Sequence, residues 1–231
     1  MAVIALDPEY EGIIISRQAE EAGLVAIGGS LSVKSLLNAY STGLFPWYTD
    51  GEPIMWWSPD PRTLLIPDKF RPSHSLRQTL RKKKFRVTVD TAFAEVIHAC
   101  RTTPRKDQEG TWITAEVEKA YTNLHKAGYA HSFETWYGEE LVGGLYGVSL
   151  GKAFMGESMF HHMTDASKVA FYYLVQFTLQ QGFLFIDAQM KTEHLTSLGA
   201  ESIPRAEYLS VLETALRWPT LKGKWTKYLH E

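Results

Sequence analysis

Two acidic side chains sit where acids are costly. Asp187 interrupts Phe183-Leu184-Phe185-Ile186-Asp187-Ala188-Gln189-Met190, a run otherwise almost wholly apolar. Glu157 does the same in Phe154-Met155-Gly156-Glu157-Ser158-Met159-Phe160. A carboxylate in an apolar strand must be paired, hydrogen-bonded or functional. Gln189 follows Asp187 by two residues, so strand alternation puts both side chains on one face, where together they can hold an amine. Gly156 leaves room for a ligand to approach the backbone. The plainer readings are an Asp that ties down a loop and a Glu paired with a core Lys or Arg. Phe154, Met155, Met159, Phe160, Phe171, Tyr172, Phe177, Phe183 and Phe185 supply soft apolar surface. Most of it is core, and part of it can line a pocket for an unbranched or aromatic side chain.

A second concentration of chemistry lies upstream, in Phe45-Pro46-Trp47-Tyr48 and Met55-Trp56-Trp57-Ser58-Pro59-Asp60-Pro61-Arg62. Pro46, Gly51, Pro53, Pro59 and Pro61 argue against a regular helix or a central strand here. The three tryptophans then form a rigid irregular surface that either packs two lobes together or stacks on a flat ligand such as a nucleobase. Directly after it, from Arg62 to Arg86, nine basic residues (Arg62, Lys69, Arg71, Arg77, Arg81, Lys82, Lys83, Lys84, Arg86) face one acid, Asp68. Lys and Arg beside an aromatic platform are the footprint of a nucleic-acid backbone contact, with a solvated helix face as the alternative. The rest of the chain is acidic, which favours one docking site over general coating of nucleic acid.

The whole chain of 231 residues is nearly neutral, with 24 Lys+Arg against 26 Asp+Glu. Its 45% hydrophobic and 22% charged residues are ordinary for a globular protein with ample core. The single cysteine, Cys100, excludes an internal disulfide and reads as a buried inert thiol. No apolar run is long enough to span a membrane, and no basic region precedes a long apolar run near the N-terminus. The cytoplasm is the expected compartment. HExxH, CxxC, GxxxxGK[ST] and GxSxG are all absent, and His161-His162 would point apart on a strand, so no metal is expected.

The elements that must position these residues follow from caps and periodicity. Ser32 caps a helix over Val33–Ser41, stopped by Gly43. Phe85–Asp90 alternates as a strand, and Thr91–Arg101 is amphipathic. Thr114 caps a helix to about Lys126, ending at Gly128. Strands are expected at His131–Tyr137, Glu140–Ser149 and Lys152–Phe160, turned by Gly138 and Leu150-Gly151. Thr164 or Asp165 caps a long helix through Gln181, then Phe183–Met190 forms a strand, with helices near Thr192–Leu198 and Pro204–Arg217. Helices, an antiparallel meander, then helix and strand describe an α+β fold laid out like a GNAT-type (N-acyltransferase) domain. The expected division is a small N-terminal α+β domain over residues 1–62 and a GNAT-like catalytic domain over 63–231, linked by the proline-rich Pro59–Pro67.

The chain resembles the bacterial leucyl/phenylalanyl-tRNA–protein transferases. The resemblance rests on Gly23-Leu24-Val25-Ala26-Ile27-Gly28-Gly29-Ser30-Leu31, Gly43-Leu44-Phe45-Pro46-Trp47, Trp56-Trp57-Ser58-Pro59-Asp60-Pro61-Arg62, Gly110-Thr111-Trp112-Ile113, Glu140-Leu141-Val142-Gly143-Gly144-Leu145-Tyr146-Gly147, Gly156-Glu157-Ser158-Met159-Phe160, Ala166-Ser167-Lys168, Ile186-Asp187-Ala188-Gln189 and Ser197-Leu198-Gly199-Ala200. It implies transfer of Leu, Phe or Met from aminoacyl-tRNA to a protein's N-terminal Arg or Lys, marking that protein for degradation. It also implies that Trp47 stacks on the terminal adenosine and Trp112 shapes the same region. Glu157, Asp187 and Gln189 would stand at the reacting centre. Phe154, Met155, Gly156, Ser158, Phe171 and Phe177 would hold substrate, and Arg77, Arg81, Lys82, Lys83 and Lys84 would grip the acceptor stem.

Such a reaction needs no cofactor, because an aminoacyl ester is already activated. Positioning an amine against its carbonyl is worth roughly 7–11 kcal/mol. The amine has an ordinary pKa of about 7.7–8.0 and a carboxylate near 3.9 is a weak base for it, so Asp187 is expected to orient the amine and pass its proton on through Gln189. Two other readings compete. An acyl-CoA-dependent acetyltransferase of this fold needs a glycine-rich loop before the long helix, and His161-His162-Met163-Thr164-Asp165-Ala166-Ser167-Lys168 has no glycine. A non-catalytic RNA-binding module would not need acids in apolar strands.

Overall fold

A computed structural model describes residues 4–6, 23–104 and 111–228. Gly110, part of one recognised motif, lies outside them, as do residues 7–22 of the expected N-terminal domain.

Among the described residues the strands form two sheets. The first contains β1 (Ile4–Leu6), β2 (Leu24–Gly28), β3 (Phe45–Pro46) and β4 (Met55–Trp57), in the order β1-β2-β4-β3. Between β2 and β3 runs α1 (Val33–Ser41), capped as expected: the Ser32 hydroxyl accepts the Ser35 N–H at 3.1 Å. Its buried face is Ser35, Leu36, Ala39 and Tyr40. Gly43, at φ +82, closes the helix, and any Cβ there would lie 2.6 Å from Leu209.

The second sheet begins with β5 (Arg62–Leu65). There follow α2 (His74–Arg81), β6 (Arg86–Val89), α3 (Phe93–Thr102), α4 (Ala115–Lys126), β7 (Ala130–Tyr137), β8 (Glu140–Leu150), β9 (Ala153–His161), α5 (Ala166–Gln180), β10 (Phe185–Gln189), α6 (Glu193–Ser197), β11 (Glu201–Ile203) and α7 (Arg205–Leu216). The order is β11-β5-β10-β9-β8-β7-β6. The β7–β9 meander is antiparallel, while β9 and β10 run parallel, joined by the α5 crossover. The chain is thus α+β, a small N-terminal part followed by a GNAT-like C-terminal part. Thr114 caps α4 by accepting the Val117 N–H at 3.2 Å, and Val117, Ala120, Tyr121 and Leu124 are its buried stripe.

Three expectations are corrected. The tryptophan window does contain strands, and Met55–Trp57 lies between two neighbours. Trp56 is fully buried, its indole N–H bonded to the Gly28 carbonyl at 2.9 Å, so only Trp47 and Trp57 keep exposed area. The expected link Pro59–Pro67 likewise contains β5, wholly buried between β11 and β10. Proline forbids a central strand only where its missing N–H is needed. Pro53, Pro59, Pro61 and Pro67 all fall just outside the paired residues, and Pro46 lies on an edge strand. Finally, Asp165 holds the N-cap position of α5 as expected, at φ +68, but its side chain does not make the capping bond. Its carboxylate instead accepts the Thr79 hydroxyl at 2.8 Å and pairs with Lys168 at 3.4 Å.

Candidate active site

Pairing between β9 and β10 runs from Phe185↔Ala153 to Asp187↔Met155 and stops there. Both strands are bulged at that point. On β9, Ser158 pairs with Tyr146 and Gly156 with Gly147, leaving Glu157 as the extra residue. On β10, Asp187 pairs with Leu64 and Gln189 with Thr63, leaving Ala188 extra. A bulge bends its strand and re-aims side chains. Two side by side open the sheet, and a cavity of about 990 Å³ occupies the opening.

The bulge on β10 breaks the alternation expected of Asp187 and Gln189. Gln189 sits at φ +61, a left-handed conformation that costs a non-glycine residue energy and marks sites where geometry matters. Its backbone N–H bonds to Asp187 Oδ1 at 2.8 Å, and its side-chain Nε2 donates to Glu157 Oε1 at 3.1 Å. Asp187 is fully buried. Arg62 donates to it twice, from Nε to Oδ1 at 2.9 Å and from Nη2 to Oδ2 at 2.7 Å. The Tyr208 hydroxyl adds a bond to Oδ2 at 2.9 Å. The strongest acceptor positions of Asp187 are therefore filled from within the protein.

Sequence groups Arg62 with the basic block, and the structure removes it. It is wholly buried, its guanidinium 4.9 Å from the Phe45 ring centroid and 4.6 Å from that of Tyr208, with Nη1 bonded to the Gly43 carbonyl at 3.3 Å. Burial works against its charge, but Asp187 more than offsets this and keeps it firmly protonated. Lys69 also leaves the block, pairing with Glu201 at 2.9 Å. Seven remain, all exposed: Arg71 before α2, Arg77, Arg81, Lys82, Lys83 and Lys84 on α2 and the turn after it, and Arg86 on β6. Only Leu76 of that helix is buried. The Thr79–Asp165 bond ties α2 to the start of α5, whose Ser167 and Lys168 border the cavity.

Glu157 and Asp187 both line the cavity, but Glu157, unlike Asp187, has no cation bonded to it. Tyr121 donates to Oε2 at 3.2 Å, and the hydroxyls of Tyr121 and Tyr40 are hydrogen-bonded to each other. Burial raises the Glu157 carboxyl to about 7. The hydrogen bonds from Tyr40 and Tyr121 and the charge of Arg62 oppose that rise, and the nearby Asp187 charge adds to it. A carboxyl poised near neutrality is matched to taking a proton from an amine and giving it up again. Sequence ranks Asp187 first as the reacting acid; in the structure Asp187 is bonded to Arg62 and Tyr208, and Glu157 to Tyr121 and Gln189.

Of the other expected substrate residues, Trp47, Trp112, Phe154, Gly156, Ser158 and Phe171 line the cavity. Met155 and Phe177 do not. Met155 is fully buried in the core, and Phe177 stacks on Trp225 at 4.5 Å. Trp47 is 36% exposed, its ring 5.7 Å from Trp57 and its carbonyl accepting the Trp57 indole N–H at 2.7 Å. One wall of the cavity is apolar, with Leu145, Met159, Leu174, Ile186 and Leu195 beside Phe154 and Phe171. Sequence reasoning missed Tyr40, Tyr121 and Tyr208, which carried no local signal. Among the described residues no group of three or more His, Cys, Asp or Glu could hold a metal, and no helix is long and apolar enough to cross a membrane.

Comparison with known proteins bears on this arrangement. The chain matches the description Leucyl/phenylalanyl-tRNA protein transferase over residues 64–213 and the N-terminal domain of the same over residues 29–60. A leucyl/phenylalanyl-tRNA–protein transferase of Desulfatibacillum aliphaticivorans is 57% identical over 90% of this chain and 89% of its own length. One from Legionella pneumophila (strain Corby) is 55% identical over 90% and 93%. Among solved structures, L-PGS from Bacillus licheniformis overlaps 71% of this chain and 55% of its own at 15% identity and a TM-score of 0.39.

Proposed function

The chain belongs to the leucyl/phenylalanyl-tRNA–protein transferase family, and from that premise we propose which residues carry the transfer and which acceptors receive it. The enzyme moves an aminoacyl group from tRNA to a protein. In the proposed reaction the acceptor is a protein beginning with Arg or Lys, the donor carries Leu, Phe or Met, the tagged protein is thereby directed to degradation, and the transfer takes place in the cytoplasm. The division expected at 62/63 falls one residue inside β5, and we place it instead in residues 58–61, between one sheet ending at Trp57 and the other opening at Arg62.

In this reading the apolar wall takes the donor side chain. Burying Leu or Phe there contributes about 1.5–3 kcal/mol, and the shape of the wall excludes β-branched side chains. Trp47 and Trp112 hold the terminal adenosine by stacking. The acceptor amine, in its neutral form, attacks the ester carbonyl. As the new C–N bond forms, nitrogen becomes cationic and its surplus proton passes to the Glu157 carboxylate. The ester C–O bond then breaks, and protonated Glu157 gives the same proton to the departing ribose oxygen, which restores the carboxylate. Gln189, held in its left-handed turn by Asp187, keeps Glu157 oriented through its Nε2. Asp187 is thus a positioning residue, and Arg62 positions Asp187. Two acids near one opening also favour a basic N-terminal residue.

The observation that carries this reading is Glu157: a carboxyl near neutrality, aimed by a bulge into the cavity beside the expected adenosine platform. The test is transfer of radiolabelled Leu from charged tRNA to a peptide starting with Arg, with an Ala-start peptide as control. Labelling of the Arg peptide alone is expected; equal labelling of both would overturn the acceptor assignment. For the nucleic-acid interaction, Lys82, Lys83 and Lys84 replaced together by Ala should weaken tRNA binding. The slope of log K against log salt should become shallower by about 0.7–0.9 for each phosphate that no longer meets a lysine. An unchanged slope would make these lysines a solvated face.

A further inference from the structure

Glu157 is held by side chains that come from three separate elements. Gln189 on β10 bonds one oxygen and Tyr121 on α4 the other. Behind Tyr121 stands Tyr40 of α1, in the N-terminal part of the chain, hydroxyl to hydroxyl. Both phenols are almost completely excluded from solvent. Tyr121 donates to Glu157, and Tyr40, bonded hydroxyl to hydroxyl with Tyr121, also hydrogen-bonds the Glu157 carboxyl. Packing alone does not need this arrangement: two phenylalanines would fill the same volume without burying two hydroxyls.

Resting on the reading of Glu157 as the proton carrier, we propose that Tyr40 and Tyr121 form a hydrogen-bond chain that positions Glu157 and sustains its anionic form. The N-terminal part would thereby set the pH at which transfer begins. Phenols donating to a carboxylate favour its charged state, and hydrogen bonding between the two phenols strengthens the network. Burial pushes both phenols well above their ordinary range, so they remain neutral donors at any pH where the enzyme works. The other groups facing Glu157 are fixed or farther off. Arg62 from β5 favours the anion and Asp187 from β10 opposes it. Tyr146 on β8, His161 on β9 and Lys168 on α5 border the same cavity. The chain carries no net proton: each phenol keeps its own while Glu157 takes one from the amine and returns it to the ribose oxygen.

The test is a 13C titration of the Glu157 carboxyl in the full chain, assigned as the resonance missing from Glu157→Gln, together with the pH dependence of transfer. Tyr121→Phe is expected to move the Glu157 midpoint and the matching acid limb of the rate upward by about one pH unit. Tyr40→Phe should move both in the same direction, and KM for aminoacyl-tRNA should hold constant in each. A rate lowered by one factor at every pH, with the midpoint in place, would make the tyrosines mere packing and overturn the chain. Were Tyr121→Phe not to fold, Tyr40→Phe alone decides by the same criterion. If Glu157→Gln retains the wild-type limb, the proton-carrier reading itself fails, and this inference with it.

Discussion

Glu157→Gln is expected to lower transfer by about 10²–10⁴-fold, the usual contribution of a positioned proton carrier. Gln keeps the length and planar shape of Glu and can still accept from Tyr121, so the cavity should keep its form. What is lost is a group able to take a proton from the attacking amine. Binding of charged tRNA should survive, because in this reading Glu157 touches neither the adenosine nor the stem. The wild-type rate should climb as pH rises through about 7, where Glu157 becomes ionised in the fold. The variant should lack that limb and show only the acceptor amine's own ionisation near about 7.7–8.0. Stability should move the other way. A carboxyl raised from 4.5 to about 7 on folding binds more protons in the folded state than in the unfolded one between those values. The wild type therefore loses stability as pH rises across that window, and the Gln variant should lack this loss. Single-turnover transfer and thermal melts from pH 4 to pH 9 read both effects. Unimpaired transfer by Glu157→Gln would remove this residue from the chemistry.

Arg62→Met is expected to cost about 3–5 kcal/mol, the typical penalty for leaving one member of a buried ion pair without its partner. For a chain of this size that corresponds to a fall in Tm of roughly 10 °C. The reason is the completeness of burial: the Arg62 and Asp187 side chains are 1% and 0% exposed at a separation of 2.7 Å, so solvent cannot replace the missing cation. Met also forfeits the stacking of the guanidinium on Phe45 and Tyr208. The double variant Arg62→Met, Asp187→Leu removes both charges and should recover much of the melting temperature. Transfer should stay lost, because no carboxylate then accepts the Gln189 N–H and the left-handed turn that aims Gln189 at Glu157 is unsupported. Calorimetry and the transfer assay on the same preparations separate the two roles. A single variant that melts with the wild type would show that Asp187 is not committed to Arg62.

Much of the C-terminal architecture follows from local chemistry. Ser32 and Thr114 start their helices because a hydroxyl satisfies a helix N–H three residues on, an interaction contained within four residues. The β7–β9 meander is legible from glycine at its turns and from the length of its apolar runs. The short strands β2 to β5 are not, because runs of two to five residues carry too little periodicity to separate from loop, and the prolines between them mislead. Lone acids in apolar strands led to the residues that line the cavity for the same local reason: a carboxylate there is costly whatever surrounds it.

Sequence alone therefore determined the family, the order of elements from α3 to α6 but not β11, and that Glu157, Asp187 and Gln189 belong together. Tertiary structure decided what each of them can do. Arg62 and Asp187 are 125 residues apart, Tyr121 and Glu157 are 36, and Tyr40 and Tyr121 are 81. Neither the spacing nor the residue types announce such pairs. The two bulges exist only once β9 and β10 have taken their register against their neighbours, and they bring Glu157 and Asp187 to one cavity with different partners. Ionisation follows the same logic. An acid answers to the charges, donors and water that folding brings to it, and two carboxyls on neighbouring strands met different partners: one a buried guanidinium, the other phenols and an amide.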